Sequence, residues 1–243
     1  MSGLLYKNFR INRSSFIFSL ATAFVCCLTL ILLCIFGGSA MTAEEEGEST
    51  TAFVFATVYY LAFMLPAMAT SNLFQFDESR VCTAFAMGLP QGAKGHVQSK
   101  YYYMLIVNLV TLFMLFVCDT ICTAMLDGKY SGTAVLSVLF CWRLVLMAVE
   151  IPFIIRFGSQ RGLNIKGAVV GFIFIIIMLY LLFGDISWLI DSDDPIGALI
   201  KWLQSGDIIF WIGLFPYFSV AAYYLSYRIS VGVYRKGAET YEQ

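Results

Sequence analysis

Six long apolar stretches, separated by polar and charged segments, set the pattern of this chain of 243 residues. Crossing a bilayer takes about 20 helical residues. The stretches that are long enough are Phe16–Phe36, Ala52–Phe74, Tyr101–Met125, Thr133–Ile155, Gly167–Ile190 and Ile208–Tyr227. Because a helix satisfies its own backbone hydrogen bonds in lipid, the pattern predicts an all-α fold. We expect a single domain over residues 1–243, built as a polytopic bundle of six transmembrane helices.

Positive charge is divided unequally between the two sides of this predicted bundle. The side opposite the N-terminus carries only Lys129 and Lys201 and is otherwise acidic. The side of the N-terminus carries Lys7, Arg10, Arg13, Arg80, Lys94, Lys100, Arg156, Arg161, Lys166, Arg228, Arg235 and Lys236. Cytoplasmic loops hold an excess of Lys and Arg, so both termini are predicted to be cytoplasmic.

Composition supports a membrane location. The chain is 60% hydrophobic and 13% charged, with a mean hydropathy of +0.79, whereas a soluble domain carries about 25% charged residues. The net charge of −1 gives no indication of a nucleic-acid partner. We expect a multi-pass protein whose surroundings are mostly lipid bilayer.

The first fifteen residues are basic, with apolar residues interleaved at Leu4, Leu5, Phe9 and Ile11. This pattern predicts a short amphipathic helix over residues 1–15, lying on the inner leaflet. An ordinary basic flank that fixes the orientation of the first span is the alternative, and the sequence leaves both open.

Residues 75–100 form the predicted cytoplasmic loop between spans two and three. Asp77 and Glu78 suit a helix N-terminus, where negative charge is favourable, and Arg80 follows them. A spacing of four residues places the apolar side chains of the loop on one helix face, and Pro90 disfavours helical geometry before it. These apolar side chains are Val81, Phe85 and Leu89, and Lys94 leads into the next span. The segment has the features of a surface that contacts another protein.

Three ionisable residues lie within predicted spans. Asp119 is near the outer end of the third span, and the fourth span contains Arg143 and Glu150 on one face. Ionisable groups at this depth are costly and face protein or water. One hypothesis is a buried Asp119–Arg143 ion pair with Glu150 reaching toward the interface. The other is that these residues line a polar translocation path, in which case Arg143→Ala abolishes transport and leaves insertion normal.

Two segments complete the layout. After span four, Pro152 is predicted to break the helix, with Arg156, Gly158 and Arg161 in a tight basic turn on the cytoplasmic side. Residues 184–207 form the largest external loop. Neither segment carries a pattern of catalytic residues.

Signatures of enzymatic chemistry are missing from the sequence. It has no G-x-x-x-x-G-K-[ST] phosphate-binding loop and no H-E-x-x-H motif. The single histidine, His96, lacks a neighbouring ligand set, and Cys118 and Cys122 lack two further paired ligands for zinc. The chain is therefore expected to have no ATPase site, cofactor or metal of its own.

Several short motifs carry a resemblance to a known family. They include Asp77-Glu78-Ser79, Gly88-Leu89-Pro90 and Ser99-Lys100-Tyr101 in the loop, Phe157-Gly158 and Arg161-Gly162 after span four, and the opening Leu5-Tyr6-Lys7. In these motifs and in layout the chain resembles bacterial ABC-2 type permeases. The branch that it resembles most is the small six-span subunits of the phenol-soluble modulin exporter. Gln91-Gly92-Ala93 is less charged than that branch's pattern.

The resemblance implies a transport subunit of the bacterial cytoplasmic membrane. Such permeases pair into homo- or heterodimers, and a separate cytoplasmic ABC ATPase grips a coupling helix between spans two and three. The implied function is export of a hydrophobic or peptide-like substrate with energy from that ATPase. A non-transporting membrane immunity or sensor protein that binds a peptide or signalling partner is the alternative, and binding of an ATPase distinguishes the two.

Overall fold

The computed structural model describes residues 2–41, 45–67, 73–74, 92–126, 131–183 and 206–239. Nearly all residues in these ranges are helical, and no strand occurs among them. The helices are α1 (Ser2–Ile11), α2 (Arg13–Met41), α3 (Glu45–Ala67), α4 (Gly92–Met125), α5 (Thr133–Phe157), α6 (Ser159–Phe183) and α7 (Gly206–Glu239). The all-α prediction is therefore confirmed.

Three helical segments in the described ranges are long and apolar enough to cross a membrane, namely Arg13–Phe36, Lys94–Met125 and Thr133–Phe157. Shorter apolar stretches cover Ala52–Pro66 and Gly167–Tyr180. These helices support a membrane protein. The count of six spans and the cytoplasmic position of both termini stay predictions.

Helix α5 is the centre of the bundle. It packs against α3, α4, α6 and α7. Half of its span is buried within the protein, compared with 22% for α2 and 33% for α4. A helix surrounded by protein can carry polar side chains that a lipid-facing helix cannot, and α5 contains both Arg143 and Glu150.

Two hydrophobic clusters form the core. The first joins α2, α3, α4 and α5 around Leu30, Phe55, Phe63, Leu115 and Leu136. The second lies toward the other end of α4 and α5, and its buried residues include Val97, Tyr101, Met104, Leu144, Met147 and Ile151. Side chains of α1 and α7 pack against the second cluster. Along both α4 and α5, polar residues separate the two clusters.

The prediction that Pro152 breaks the fourth span is wrong. Helix α5 continues through Pro152 to Phe157, because a membrane helix tolerates one lost backbone bond when its neighbours pack around it. The helix ends at Gly158, where φ is 88° and the backbone N–H donates to the Ile154 carbonyl at 2.8 Å. Glycine adopts this conformation without a steric penalty. Helix α6 begins at the next residue and packs back against α5.

The end of the predicted loop also differs. Helix α4 begins at Gly92, so residues 92–100 of the predicted loop are helical and continuous with the following span. Several of their side chains are buried, among them Val97, Ser99 and Lys100. The helix extends this far because α1 and α7 cover this end of it.

Candidate functional site

Asp119 binds the beginning of α5. Its Oδ1 accepts hydrogen bonds from the Tyr59 hydroxyl at 2.7 Å and from the Gly132 backbone N–H at 3.0 Å, and its Oδ2 accepts one from the Thr133 hydroxyl at 3.1 Å. Gly132 is the N-cap of α5 and has no side chain with which to cap it. Asp119 therefore supplies from α4 the negative group that a helix N-terminus favours.

This arrangement corrects the predicted Asp119–Arg143 pair. Arg143 instead faces Glu150 of its own helix, with Nη1 at 3.7 Å from Glu150 Oε2. Both side chains are almost completely buried, so Glu150 does not extend to the interface. Sequence spacing placed Arg143 and Glu150 on one face correctly. It did not reveal the partners of Asp119, because Tyr59 comes from α3 and Gly132 precedes α5.

A narrow cleft lies between α2, α3, α4 and α5, where the two hydrophobic clusters meet. Its interior volume is about 20 Å3, which holds about one water molecule. One part of the lining is polar, with Asn12, Ser15, Ser19, Asn108, Thr111 and Arg143. The other part is mostly apolar and includes Ala62, Phe63, Pro66, Leu73, Met104 and Val107. The cleft therefore combines apolar surface, polar groups and one buried cation.

The polar side chains of the cleft mostly donate to the backbone. The Ser19 hydroxyl donates to the Ser15 carbonyl at 2.9 Å and the Thr111 hydroxyl to the Val107 carbonyl at 3.1 Å. The Asn108 amide donates to the Met104 carbonyl at 2.8 Å, and that of Asn12 to the Asn8 carbonyl at 3.2 Å. Such local bonds use the donor capacity of these side chains and leave their oxygen atoms able to accept.

A second polar group, which sequence reasoning missed, connects α4 with α7. The Tyr101 hydroxyl lies 2.7 Å from Ser226 Oγ and 2.8 Å from Ser230 Oγ. The Tyr223 hydroxyl donates to the Tyr101 carbonyl at 2.8 Å. Ser226 and Ser230 are four residues apart and so share one helix face, which is the only sign of this contact in the sequence.

The N-terminal helix packs against α4. The Asn8 amide donates to Ser99 Oγ at 3.1 Å, and the Tyr103 hydroxyl donates to the Asn12 carbonyl at 3.3 Å. The rings of Phe9 and Tyr103 meet edge to face with centroids 4.8 Å apart. The predicted helix is therefore present over Ser2–Ile11, with one face on protein. Its predicted position on the inner leaflet stays a prediction.

Most of the predicted coupling residues lie outside the described residues, namely Asp77, Glu78, Arg80, Val81, Phe85, Leu89 and Pro90. Lys94 is described and is exposed on the first turn of α4. The residues on either side of the predicted coupling segment, residues 77–94, are in contact. Lys100 Nζ donates to the Leu73 carbonyl at 3.3 Å and lies 4.2 Å from the centroid of the Phe74 ring.

The turn between α5 and α6 consists of Gly158 alone, and the other residues of the predicted basic turn lie within the two helices. Arg156 is exposed in the last turn of α5, 5.4 Å from the centroid of the Phe157 ring, and Arg161 is exposed in the first turns of α6. Pro152 lies within α5 rather than in the turn. On which side of the membrane this turn lies stays a prediction.

The cysteines of α2 and α4 lie at the contact between the two helices. Cys27 Sγ is 3.8 Å from the Met114 carbonyl oxygen, and Cys118 Sγ is 3.6 Å from that of Cys27. Cys26, Cys34, Cys118 and Cys122 are buried in the first hydrophobic cluster. Within the described ranges, no group of three or more His, Cys, Asp or Glu side chains has an arrangement that can hold a metal ion.

Comparison with known proteins identifies the family. The family model described as ABC-2 family transporter protein matches residues 3–235. No curated protein and no solved structure matches the chain. The match includes most of every described helix, leaving out only Ser2 of α1 and residues 236–239 of α7, and it spans the cleft and both sides of the predicted coupling segment. The chain therefore belongs to the ABC-2 family of transporter proteins, and is a membrane permease component of an ABC transporter.

Proposed function

We propose that this chain is the permease subunit of an ATP-driven exporter, which moves a hydrophobic or peptide-like substrate outward across a bacterial cytoplasmic membrane. The observation that carries this proposal is the cleft between α2, α3, α4 and α5, where a buried cation and polar groups face apolar surface. A substrate that is mostly apolar and carries a polar group can bind there through both, whereas a purely apolar helix interface offers no partner for the polar group. The motifs similar to those of phenol-soluble modulin exporters support the same direction of transport.

Energy comes from a separate cytoplasmic ATPase subunit in this proposal, and the permease works as a dimer with a second permease subunit. The ATPase contacts the coupling segment between α3 and α4 through Val81, Phe85 and Leu89. Asp77, Glu78, Arg80 and Lys94 contribute polar contacts, and Pro90 ends the predicted helix. An amphipathic helix binds a groove in this way through one apolar face.

The contacts beside the coupling segment offer a route for motion into the bundle. Lys100 holds Leu73 and Phe74 against α4, while α1 and α7 contact the same end of α4 through Ser99 and Tyr101. A displacement of the coupling segment therefore moves α1, α4 and α7 together. Packed helices transmit such displacements as rigid bodies, and this one reaches the cleft along α4.

Substitution of Phe85 by aspartate is expected to release the ATPase, because a charge replaces the central apolar side chain of the proposed contact. The measurement is co-purification of the ATPase with the tagged full-length chain from mild detergent. Thr83→Asp is the matched control, since residue 83 lies on the opposite face of the predicted helix. Retention of the ATPase by Phe85→Asp, or its equal release by Thr83→Asp, contradicts the proposed contact.

A further inference from the structure

The cleft is suited to one kind of substrate end group. We infer that it receives the free C-terminal carboxylate of an apolar peptide, with Arg143 binding the carboxylate and the polar residues of α2 and α4 binding the peptide backbone. This inference rests on the proposed function for its place in transport. Its evidence is the chemistry of the cleft itself.

The first part of the argument concerns charge. Arg143 lines the cleft and is 2% exposed, and the described residues that line the cleft include no carboxylate. A guanidinium binds a carboxylate through two parallel N–H groups, with donor–acceptor distances of about 2.7–2.9 Å. Glu150 lies farther than this from Arg143 Nη1, at 3.7 Å. A substrate carboxylate that makes closer bonds can therefore compete with Glu150 at Nη1 of Arg143, which is one of the contacts that Arg143 makes.

The second part concerns the neutral polar side chains. The hydroxyl groups of Ser19 and Thr111 and the amide of Asn108 already donate to the backbone of their own helices. Their oxygen atoms are left to accept hydrogen bonds. Peptide N–H groups are the matching donors, whereas a fatty acid has none. The cleft thus offers acceptors on α2 and α4 and a cationic donor at Arg143, which match the backbone N–H groups and the C-terminal carboxylate of a peptide.

The third part concerns size and position. The residues of α4 that line the cleft, from Tyr103 to Thr111, extend over about 12 Å of the helix, at a rise of about 1.5 Å per residue. This is the length of about four residues of extended peptide, at about 3.3 Å per residue. Phe63, Met104 and Val107 supply apolar surface for the side chains. With room for about one water molecule the cleft is closed as it stands, so a peptide enters when α2 and α3 separate from α4.

The test compares two synthetic peptides with the same leucine- and alanine-rich sequence and the same N-terminal fluorophore. One has a free C-terminal carboxylate and the other a C-terminal amide. Binding is measured on the full-length chain in lipid nanodiscs without nucleotide. We expect the carboxylate peptide to bind about tenfold more tightly, because hydrogen bonds from a guanidinium to an ionised carboxylate are stronger than those to a neutral amide. Equal binding of the two peptides overturns the inference.

Variants test the role of each side chain. Arg143→Gln is expected to remove the preference for the carboxylate, so that this variant binds the two peptides equally. Arg228→Gln, an exposed cation of α7, is the matched control and keeps the preference. Glu150→Gln removes the competing carboxylate and is expected to strengthen binding of the carboxylate peptide. If Glu150→Gln has a weaker preference for the carboxylate peptide, a substrate carboxylate does not compete with Glu150 for Arg143. Because the comparison on the wild-type chain needs no variant, the test stands even if Arg143→Gln does not fold.

A fatty anion is the competing ligand. Dodecanoate is added to the bound carboxylate peptide at increasing concentration, and we expect little displacement. If this displacement depends on Arg143 and the two peptides bind equally, the ligand of the cleft is a fatty anion and the peptide inference is overturned. None of these measurements requires an ATPase. The two ideas can therefore fail separately. If the carboxylate preference is missing, the inference is wrong; if no ATPase co-purifies, the proposed function is wrong.

Discussion

Replacement of Asp119 by alanine is expected to remove most of the folded protein from the membrane. The substitution deletes the acceptor for the Tyr59 hydroxyl and the Gly132 backbone N–H and also the negative group at the N-terminus of α5. A buried donor left without an acceptor costs about 1–3 kcal/mol, so the two together cost about 2–6 kcal/mol. Native proteins have only about 5–15 kcal/mol of stability in total.

The measurement for Asp119 is the yield and the melting temperature of the detergent-purified protein. Thr120→Ala is the matched control, because Thr120 is the next residue, is exposed, and bonds only its own helix at the Phe116 carbonyl. Asp119→Asn keeps one oxygen acceptor and is expected to fall between the two. If Asp119→Ala melts within a degree or so of Thr120→Ala, Asp119 does not hold α5 in place.

Single and double variants of the Arg143–Glu150 pair are expected to differ in their effects on stability and on transport. Arg143→Met alone leaves a buried carboxylate without its nearest cation, and breaking a buried pair in this way costs about 3–5 kcal/mol. The double variant Arg143→Met, Glu150→Leu removes both charges with residues of similar size, which is often neutral for stability. We therefore expect the single variant to be unstable and the double variant to insert normally and to lose transport.

The transport measurement for this pair uses ATP-dependent uptake of the fluorescent apolar peptide into inside-out membrane vesicles, with insertion quantified in the same vesicles. The double variant is the informative one, because the structure shows that Arg143→Ala alone also breaks the contact with Glu150. Wild-type uptake by a normally inserted double variant contradicts a role for these charges in the path. It leaves the pair with a structural role only.

Local features of the sequence were sufficient for much of the fold. Hydrophobic length predicted the helices, and the spacing of seven residues placed Arg143 and Glu150 on one face. The end of α5 was mispredicted, because Pro152 is the stronger local signal for a break. The backbone of α5 nevertheless remains helical through it to Gly158. Whether a proline ends a membrane helix depends on the packing around it, which a local pattern does not contain.

The contacts within the candidate site were harder to predict. Asp119, Tyr59 and Gly132 come from different parts of the chain, and the Tyr101–Ser226–Ser230 contact joins α4 to α7 over more than a hundred residues. Such contacts depend on how helices are arranged, and a single sequence does not specify that arrangement. The sequence identified the ionisable residues because charge is rare within apolar stretches. It missed Asn108 and Thr111, because neutral polar residues are common there.

The position of the cleft suggests how the bundle works. It lies between the two hydrophobic clusters, with Asn108 and Thr111 on α4 and Arg143 on α5. Our proposal places the motion of the helices at the polar region that separates the two clusters. The coupling segment joins α4 at the end held by α1 and α7. In our proposal the substrate binds before nucleotide, and ATP-driven displacement there releases it from the cleft.

The central claim is that this chain works with a separate ATPase, and the most direct measurement is purification of the tagged wild-type chain from mild detergent in ATP-bound and nucleotide-free conditions. We predict that a cytoplasmic protein with a P-loop ATPase sequence co-purifies at a fixed ratio and that the complex hydrolyses ATP. Absence of any such protein in both conditions contradicts the transport account and favours the non-transporting immunity or sensor alternative.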